Sequence, residues 1–242
     1  MNTRTGTLAV LAIAAACAPA SADAAPTDVT VRVEGATKTI FEGKVRSDGH
    51  ALMKDASGAH PCDGTNAGVN PAPGATMTAA LDDATQLAGL EWGGKWDDGF
   101  QDFLVTSIGP DAQTASSFWG YALNGVPTSV GGCQQQVEDG DEILFYYGGT
   151  FDNILRASGP KKVRAGRRFQ VRVHAYATSY DSSGNASTVV KPFEGARIGG
   201  KRTNSKGIVT LRYRTTGTKR LKATAPKSVR SNQLNVKVLT RR

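Results

Sequence analysis

The most constraining feature of this 242-residue chain is the spacing of its apolar residues, which alternate with period two in short runs. Val29–Val33 reads Val-Thr-Val-Arg-Val, and Phe169–Ala175, Ile208–Tyr213 and Leu234–Leu239 follow the same rule. Successive side chains of a strand point to opposite faces, so each run predicts a strand with one buried face. Gly, Asn, Asp, Ser and Pro interrupt the runs at the spacing of about ten residues that marks turns in β folds. One stretch breaks the rule. From Thr76 to Ala88, residues Met77, Ala80, Leu81, Ala84, Leu87 and Ala88 form one helical stripe, with Asp82, Asp83 and Gln86 outward. Gly89 stands where a helix C-terminal cap belongs.

The N-terminus carries a different signal. Arg4 precedes an apolar stretch, Leu8–Ala16, too short for the ~20 residues of a membrane span but suited to a secretory leader. Ala22 and Ala24 place small residues at −3 and −1, so cleavage is expected after Ala24. Cys17 follows Ala14-Ala-Ala16, without the large aliphatic residue of a lipoprotein box, and leaves with the leader unless it is lipidated. Nothing later predicts a transmembrane segment. Two cysteines then remain, Cys62 and Cys133. Outside the cytoplasm an even pair is most simply a disulfide. The competing reading is a metal site that uses His60 and Cys62, but zinc wants four N or S ligands, and only these two are close.

Charge divides what is left. Residues 25–150 hold 6 Lys+Arg and 17 Asp+Glu, a net of −11. Residues 151–242 hold 22 Lys+Arg and 3 Asp+Glu, a net of +19. A reversal of this size predicts a domain boundary, giving a leader at 1–24, an acidic domain at 25–150 and a basic domain at 151–242. The two halves either dock on each other or meet other charges. Outside a cell the basic half would face an anionic cell-wall polymer or another anionic surface, through a sequence-blind field with no specific nucleic-acid readout.

In the acidic half the expected order is a hairpin (Val29–Val33 and Lys38–Val45), a polar loop at 55–74, the helix, and strands at 90–92, 103–108, 118–123 and 142–147. Trp119 and Tyr121 lie two apart and so share a face. They serve either sheet packing or an aromatic platform for a flat ligand. Asn124-Gly125 is a turn, with Asn124 a further candidate ligand residue. Asp97, Asp98 and Asp102 lack the ordered spacing of a calcium loop.

The segment Phe118-Trp-Gly-Tyr-Ala-Leu-Asn-Gly-Val126, followed by Val137-Glu-Asp-Gly-Asp-Glu-Ile-Leu-Phe-Tyr-Tyr147, resembles the small C-terminal domain of transcobalamin and intrinsic factor. It is similar also to a group of bacterial secreted proteins built on that domain. The resemblance spans residues 28–148 and implies a β-grasp fold. It also implies cobalamin as a candidate ligand, although the large helical partner domain that encloses most of the corrinoid has no counterpart here. The basic half resembles bacterial immunoglobulin-like domains over residues 157–239, through Ala165-Gly166, Gly195-Ala-Arg-Ile198, Asn204-Ser-Lys-Gly207 and Val229-Arg-Ser-Asn232. Its expected fold is a β-sandwich, with His174 on the outer face of its strand. The fold class is therefore mixed: an α+β β-grasp-like domain with one helix, then an all-β immunoglobulin-like sandwich.

Nucleophile elbows, zinc-protease helices and phosphate loops are all missing from the sequence. Ser158-Gly-Pro-Lys161 has Ser-x-x-Lys spacing, but with Pro inside a turn. The expectation is a non-enzymatic, secreted or envelope-associated binding protein, monomeric, with no resident cofactor. The alternatives are a corrinoid-type carrier and an extracellular hydrolase without a recognisable motif.

Overall fold

The computed structural model describes residues 26–68, 70–149, 151, 153–180 and 186–241. The expected leader, with Cys17, and the loop that Asp181-Ser-Ser-Gly-Asn185 predicts in sequence lie outside the described residues.

Strand β1 (Thr27–Glu34) and strand β2 (Thr39–Ser47) form the expected hairpin, with a bulge at Val33/Glu34. Strand β3 (His50–Leu52) pairs antiparallel with β4 (His60–Cys62), so the expected polar loop carries a small hairpin of its own. Helix α1 (Met77–Leu87) follows, with Thr76 as its N-cap and Gly89 in the left-handed region at φ 64°. Next come β5 (Trp92–Asp97), β6 (Asp102–Ile108) and β7 (Asp111–Ala112), which form a three-stranded sheet. Finally β8 (Phe118–Leu123), β9 (Val126–Pro127) and β10 (Glu142–Gly148) complete a main sheet in the order β2-β1-β10-β8-β9. β10 enters the centre of that sheet parallel to β1, while every other pair in it is antiparallel. A hairpin, a crossover helix and a parallel return to the middle make this the β-grasp order.

Alternation sorts the two faces of the main sheet. Val29, Val31 and Val33 of β1, and Ile143 and Phe145 of β10, join Met77, Ala80, Leu81 and Ala84 of α1 in one core. The opposite face was expected to meet water, and it does not: Arg32 and Glu34 are each only 2% exposed. The second half of the chain covers them. Three local expectations also change. Asp82 turns inward, to the Trp92 indole, while Leu87, in the last turn of the helix, is exposed. The strand expected at 90–92 begins instead at Trp92 and runs to Asp97, because the Leu90 amide still bonds back to the Thr85 carbonyl of the helix. Gly120 is required by packing: the Tyr146 ring lies within 2.6–2.8 Å of where its Cβ would stand.

The second half is all β among its described residues. Strand β11 (Asn153–Ser158), β12 (Lys162–Arg164), β13 (Arg168–Tyr180), β14 (Ala186–Pro192), β15 (Arg197–Ile198), β16 (Lys201–Arg202), β17 (Ile208–Arg212), β18 (Gly217–Leu221), β19 (Ser228–Val229) and β20 (Leu234–Leu239) follow in turn. One sheet runs β14-β13-β11-β19, with β17 also on β13; the other runs β12-β20-β18. Between them lies a core of Leu155, Val171, Val173, Ala175, Leu211, Leu221 and Val236, the filling of a sandwich. The segment Ser158–Gly166 reads in sequence as a turn-rich entry to the second half, yet Lys162–Arg164 form a strand because they pair in parallel with Lys237–Leu239, a non-local contact. His174 is half-buried, between Arg156 of β11 and Pro192 of β14.

The halves meet on the outer face of the β-grasp sheet. Ala122, Leu144, Ile154 and Val229 form a small apolar cluster there, with Tyr146, Phe151 and Tyr176 against it. Beside it, Glu34 receives Arg230 Nε at 2.8 Å and Lys222 Nζ at 2.5 Å, and Arg32 donates to the Arg230 carbonyl at 2.5 Å and to Glu142 at 3.1 Å. Lys222 also reaches Glu42 at 2.8 Å. Of the two fates open to the opposed charges, docking on each other is realised at this seam.

Candidate functional site

Beside β8 the acidic half holds a cavity of about 440 Å³. Its walls come from three places: β6 with the turn before it, β8, and the loop that follows β9. Trp119 and Tyr121 project from β8 on the helix-side face, as their spacing predicts, and both line the cavity. Trp119 is buried, donates Nε1–H to the Asp111 carbonyl at 3.2 Å and leans on Tyr147 at a ring separation of 5.2 Å. Tyr121 is half-buried against Phe145, and its hydroxyl makes no hydrogen bond among the described residues. Phe103 and Val105 add buried apolar surface, whereas Phe100, Leu104 and Val130 stand exposed around it. Packing and platform are thus not exclusive: the same rings fill the sheet and face the cavity.

The third wall, Thr128–Val130 with Gly131 and Gln134, has no regular structure and needs an anchor. The disulfide Cys62–Cys133 supplies it, as the cysteine arithmetic expected, tying the loop to β4. Asp102 supplies a second hold. Its side chain is buried, and its two oxygens accept the Cys133 amide at 2.9 Å and the Phe103 amide at 2.7 Å. Burial pushes this carboxyl up to about 6, against the backbone amides of Cys133, Phe103 and Gln134, which favour its charged form. Burial, and then the Asp102 charge, push the Tyr121 phenol up as well. Gly131 must lack a side chain, since a Cβ there would sit 1.9 Å from Asp102 Oδ2. The Gln134 side chain bonds to the Phe100 carbonyl and closes the rim. Sequence reading singled out Trp119, Tyr121 and the two cysteines; it missed Phe100 and Val130, apolar side chains in turn-rich segments, and Leu104, which lies on the outward face of the expected strand at 103–108.

The structure places Asn124 elsewhere. With φ 53°, followed by Gly125 at 85°, it forms the β8–β9 turn, and its side chain bridges Asp141 at 2.7 Å and the Glu142 amide at 2.9 Å. It is not a wall of the cavity. Asp97, Asp98 and Asp102 do not converge on a common point either. Asp97 accepts the Gly99 and Phe100 amides, and Asp98 accepts the Trp96 indole. No group of three or more His, Cys, Asp or Glu among the described residues could hold a metal ion.

A serine–histidine contact does occur, Ser57 Oγ to His60 Nε2 at 2.8 Å. It lacks the geometry of a nucleophilic relay. Asp55 bonds to Ser57 rather than to the far nitrogen of His60, so it would hold the hydroxyl instead of orienting the base. The His60 ring is stacked on Trp96 at 4.1 Å.

Fold and site together define a β-grasp domain with an aromatic-walled side cavity, docked on a basic β-sandwich. Residues 74–149, from just before α1 to the end of β10, match the family described as Domain of unknown function (DUF4430). No curated protein and no solved structure matches the chain.

Proposed function

We propose that this chain is a non-enzymatic binding protein that works outside the cytoplasm, secreted or held at the envelope. The acidic half receives a largely apolar ligand in the cavity beside Trp119 and Tyr121, and the basic half holds the molecule to an anionic surface. The cavity itself carries this reading. Its volume falls in the ~300–1,000 Å³ range of small-molecule sites, and it combines aromatic and aliphatic walls with polar groups from Asp102, Thr128, Ser129 and Gln134. Exposed Phe100, Leu104 and Val130, at 72%, 55% and 41%, form an apolar rim of the kind that marks binding surfaces. The expected leader at 1–24 and the disulfide favour the compartment.

The test is a titration with N-phenyl-1-naphthylamine, a neutral apolar fluorophore. The full chain should give saturable emission, and Leu104→Asp, which charges an exposed wall and spares the core, should weaken binding by about tenfold, a shift of ~1.4 kcal/mol. Absence of saturable binding, or an unchanged Leu104→Asp, overturns the reading.

A second reading, a corrinoid carrier, is favoured by one observation: the transcobalamin-like pattern at 118–147 falls on β8, β9 and β10, and β8 carries Trp119 and Tyr121 into the cavity wall. A cavity of this size would hold only part of a corrinoid. Titration with cyanocobalamin, followed by visible absorbance, separates the two readings: a saturating shift supports the carrier, and no shift at high protein concentration dismisses it.

A further inference from the structure

In the basic half, Arg164, Arg167, Arg212 and Arg241 surround a hollow of about 350 Å³ whose remaining walls are Ala165 and Gly166. We propose that this hollow is a discrete site for the phosphate groups of a linear polyanion. The proposal rests on the reading of the basic half as a surface tether and gives that tether an address.

The first observation is that, among the described residues, no counter-charge is paired with these arginines. Arg32, Lys222 and Arg230, at the seam between the halves, are all paired with glutamates. The side chains of Arg164, Arg167, Arg212 and Arg241 have no hydrogen bond or ion pair among the described residues. The second is register. Arg168 stands directly opposite Arg212 across the β13–β17 ladder, which adds a fifth guanidinium close by. Like charges placed opposite each other in a sheet are destabilising, so this convergence works against the fold unless an anion joins it. The third is residue type. Every cation in the wall is arginine, whose planar fork meets phosphate oxygens in pairs, as a lysine ammonium cannot. The turn leaves space for them: Gly166, at φ 78°, has Arg212 Nη2 3.8 Å from where a Cβ would stand. The backbone amides of Ala165, Gly166 and Arg167 are already bonded to the Leu239, Tyr213 and Arg164 carbonyls, so side chains alone would bind the anion.

Position gives the site a consequence. β13 begins at Arg168, beside the hollow, and reaches the seam at Tyr176, whose ring lies against Gly125 of the acidic half. Eight residues of strand span about 26 Å. A chain held by this tip would project its cavity-bearing half away from the surface.

The experiment measures binding of the full-length chain to long-chain inorganic polyphosphate over a range of salt. Arg164→Gln with Arg212→Gln should lower affinity by at least about tenfold and reduce the slope of log K against log salt by about two. A control, Lys206→Gln with Arg220→Gln, removes the same charge from exposed positions outside the hollow and should lower affinity less than about threefold. All four side chains are exposed, so neither double variant should lower the unfolding temperature, and relief of the arginine repulsion would raise it in the first; a fall in either marks a folding defect. Equal losses in both double variants overturn the discrete site and leave a diffuse tether standing. Equal wild-type affinity for poly-glutamate of matched charge overturns the preference for phosphate. A wild-type chain that ignores polyphosphate at low salt overturns the site and the tether together.

Discussion

Glu34 is the residue whose loss should reveal how the two halves depend on each other. Its carboxylate is 2% exposed and meets Arg230 at 2.8 Å, Lys222 at 2.5 Å and, within its own half, the Thr39 hydroxyl at 3.0 Å. Glu34→Gln keeps the shape and removes the charge. At an effective dielectric of 20, one unit pair at 2.8 Å attracts by about 6 kcal/mol, but most of that is offset by the cost of drawing both ions out of water. Removing one partner of a buried pair typically costs about 3–5 kcal/mol. Arg230 and Lys222 are 21% and 18% exposed, and Lys222 keeps Glu42, so both can recover solvent or a partner. The lower end, about 3 kcal/mol, is therefore expected, with a fall in Tm of about 6–12 °C. Urea unfolding followed by two probes is the assay. Trp92, Trp96 and Trp119 all report on the acidic half, whereas far-ultraviolet circular dichroism reports on both. In the variant the two curves should separate, because the two ion pairs that Glu34 makes across the seam are gone. A loss under about 0.5 kcal/mol, the size of a surface pair, would refute the view that this cluster couples the halves.

Two further outcomes follow from the acidic half. Replacing Cys62 and Cys133 together with alanine frees a loop with a sequence separation of 71, which the chain-entropy estimate values at ~4.4 kcal/mol. The replacement should lower the urea midpoint accordingly and weaken naphthylamine binding as well, since the cavity's third wall loses its anchor; unchanged probe affinity would show that Asp102 holds the loop unaided. His50 should make stability depend on pH on the alkaline side. Its main influence is Asp82, whose carboxylate lies 3.7 Å from Nε2, and the imidazole is pushed up to about 9 from its usual 6.5. Asp82 itself is opposed by burial, but contacts with His50, Lys54 and Trp92 outweigh this and hold its carboxyl well below the usual range. A raised folded value means that the charged imidazole stabilises the fold fully below pH 6.5 and ceases to do so as pH rises through 9. His50 is 29% exposed, so solvent screening reduces the effect to about 1–2 kcal/mol. Thermal melts between pH 6 and 10 should show it, and His50→Gln should flatten that part of the profile; an unaltered slope in the variant would dismiss the pairing.

The sequence by itself determined the elements that local chemistry controls. Period-two runs became strands at Thr27–Glu34, Arg168–Tyr180 and Leu234–Leu239, because alternation specifies which face of a strand is buried. Thr76 and Gly89 bounded the helix, since capping depends on a side-chain oxygen and a residue that tolerates positive φ. With Cys17 assigned to the expected leader, Cys62 and Cys133 admitted only one intramolecular pairing, and the spacing of Trp119 and Tyr121 fixed their shared face.

What tertiary structure alone decided is where the second partner of each surface lies. Alternation predicts that Arg32 and Glu34 leave the helix-side core; it cannot say that a second domain covers them, because Lys222 and Arg230 are almost 200 residues away. For the same reason, Asp82 looked solvent-facing until Trp92 and Lys54 folded over it. The cavity arises only when a disulfide brings the loop after β9 against β6 and β8. The arginine hollow exists because β12, β13, β17 and the end of β20 converge at one tip. Each of these depends on contacts between residues far apart in the chain, whereas periodicity, caps and turns report only on neighbours.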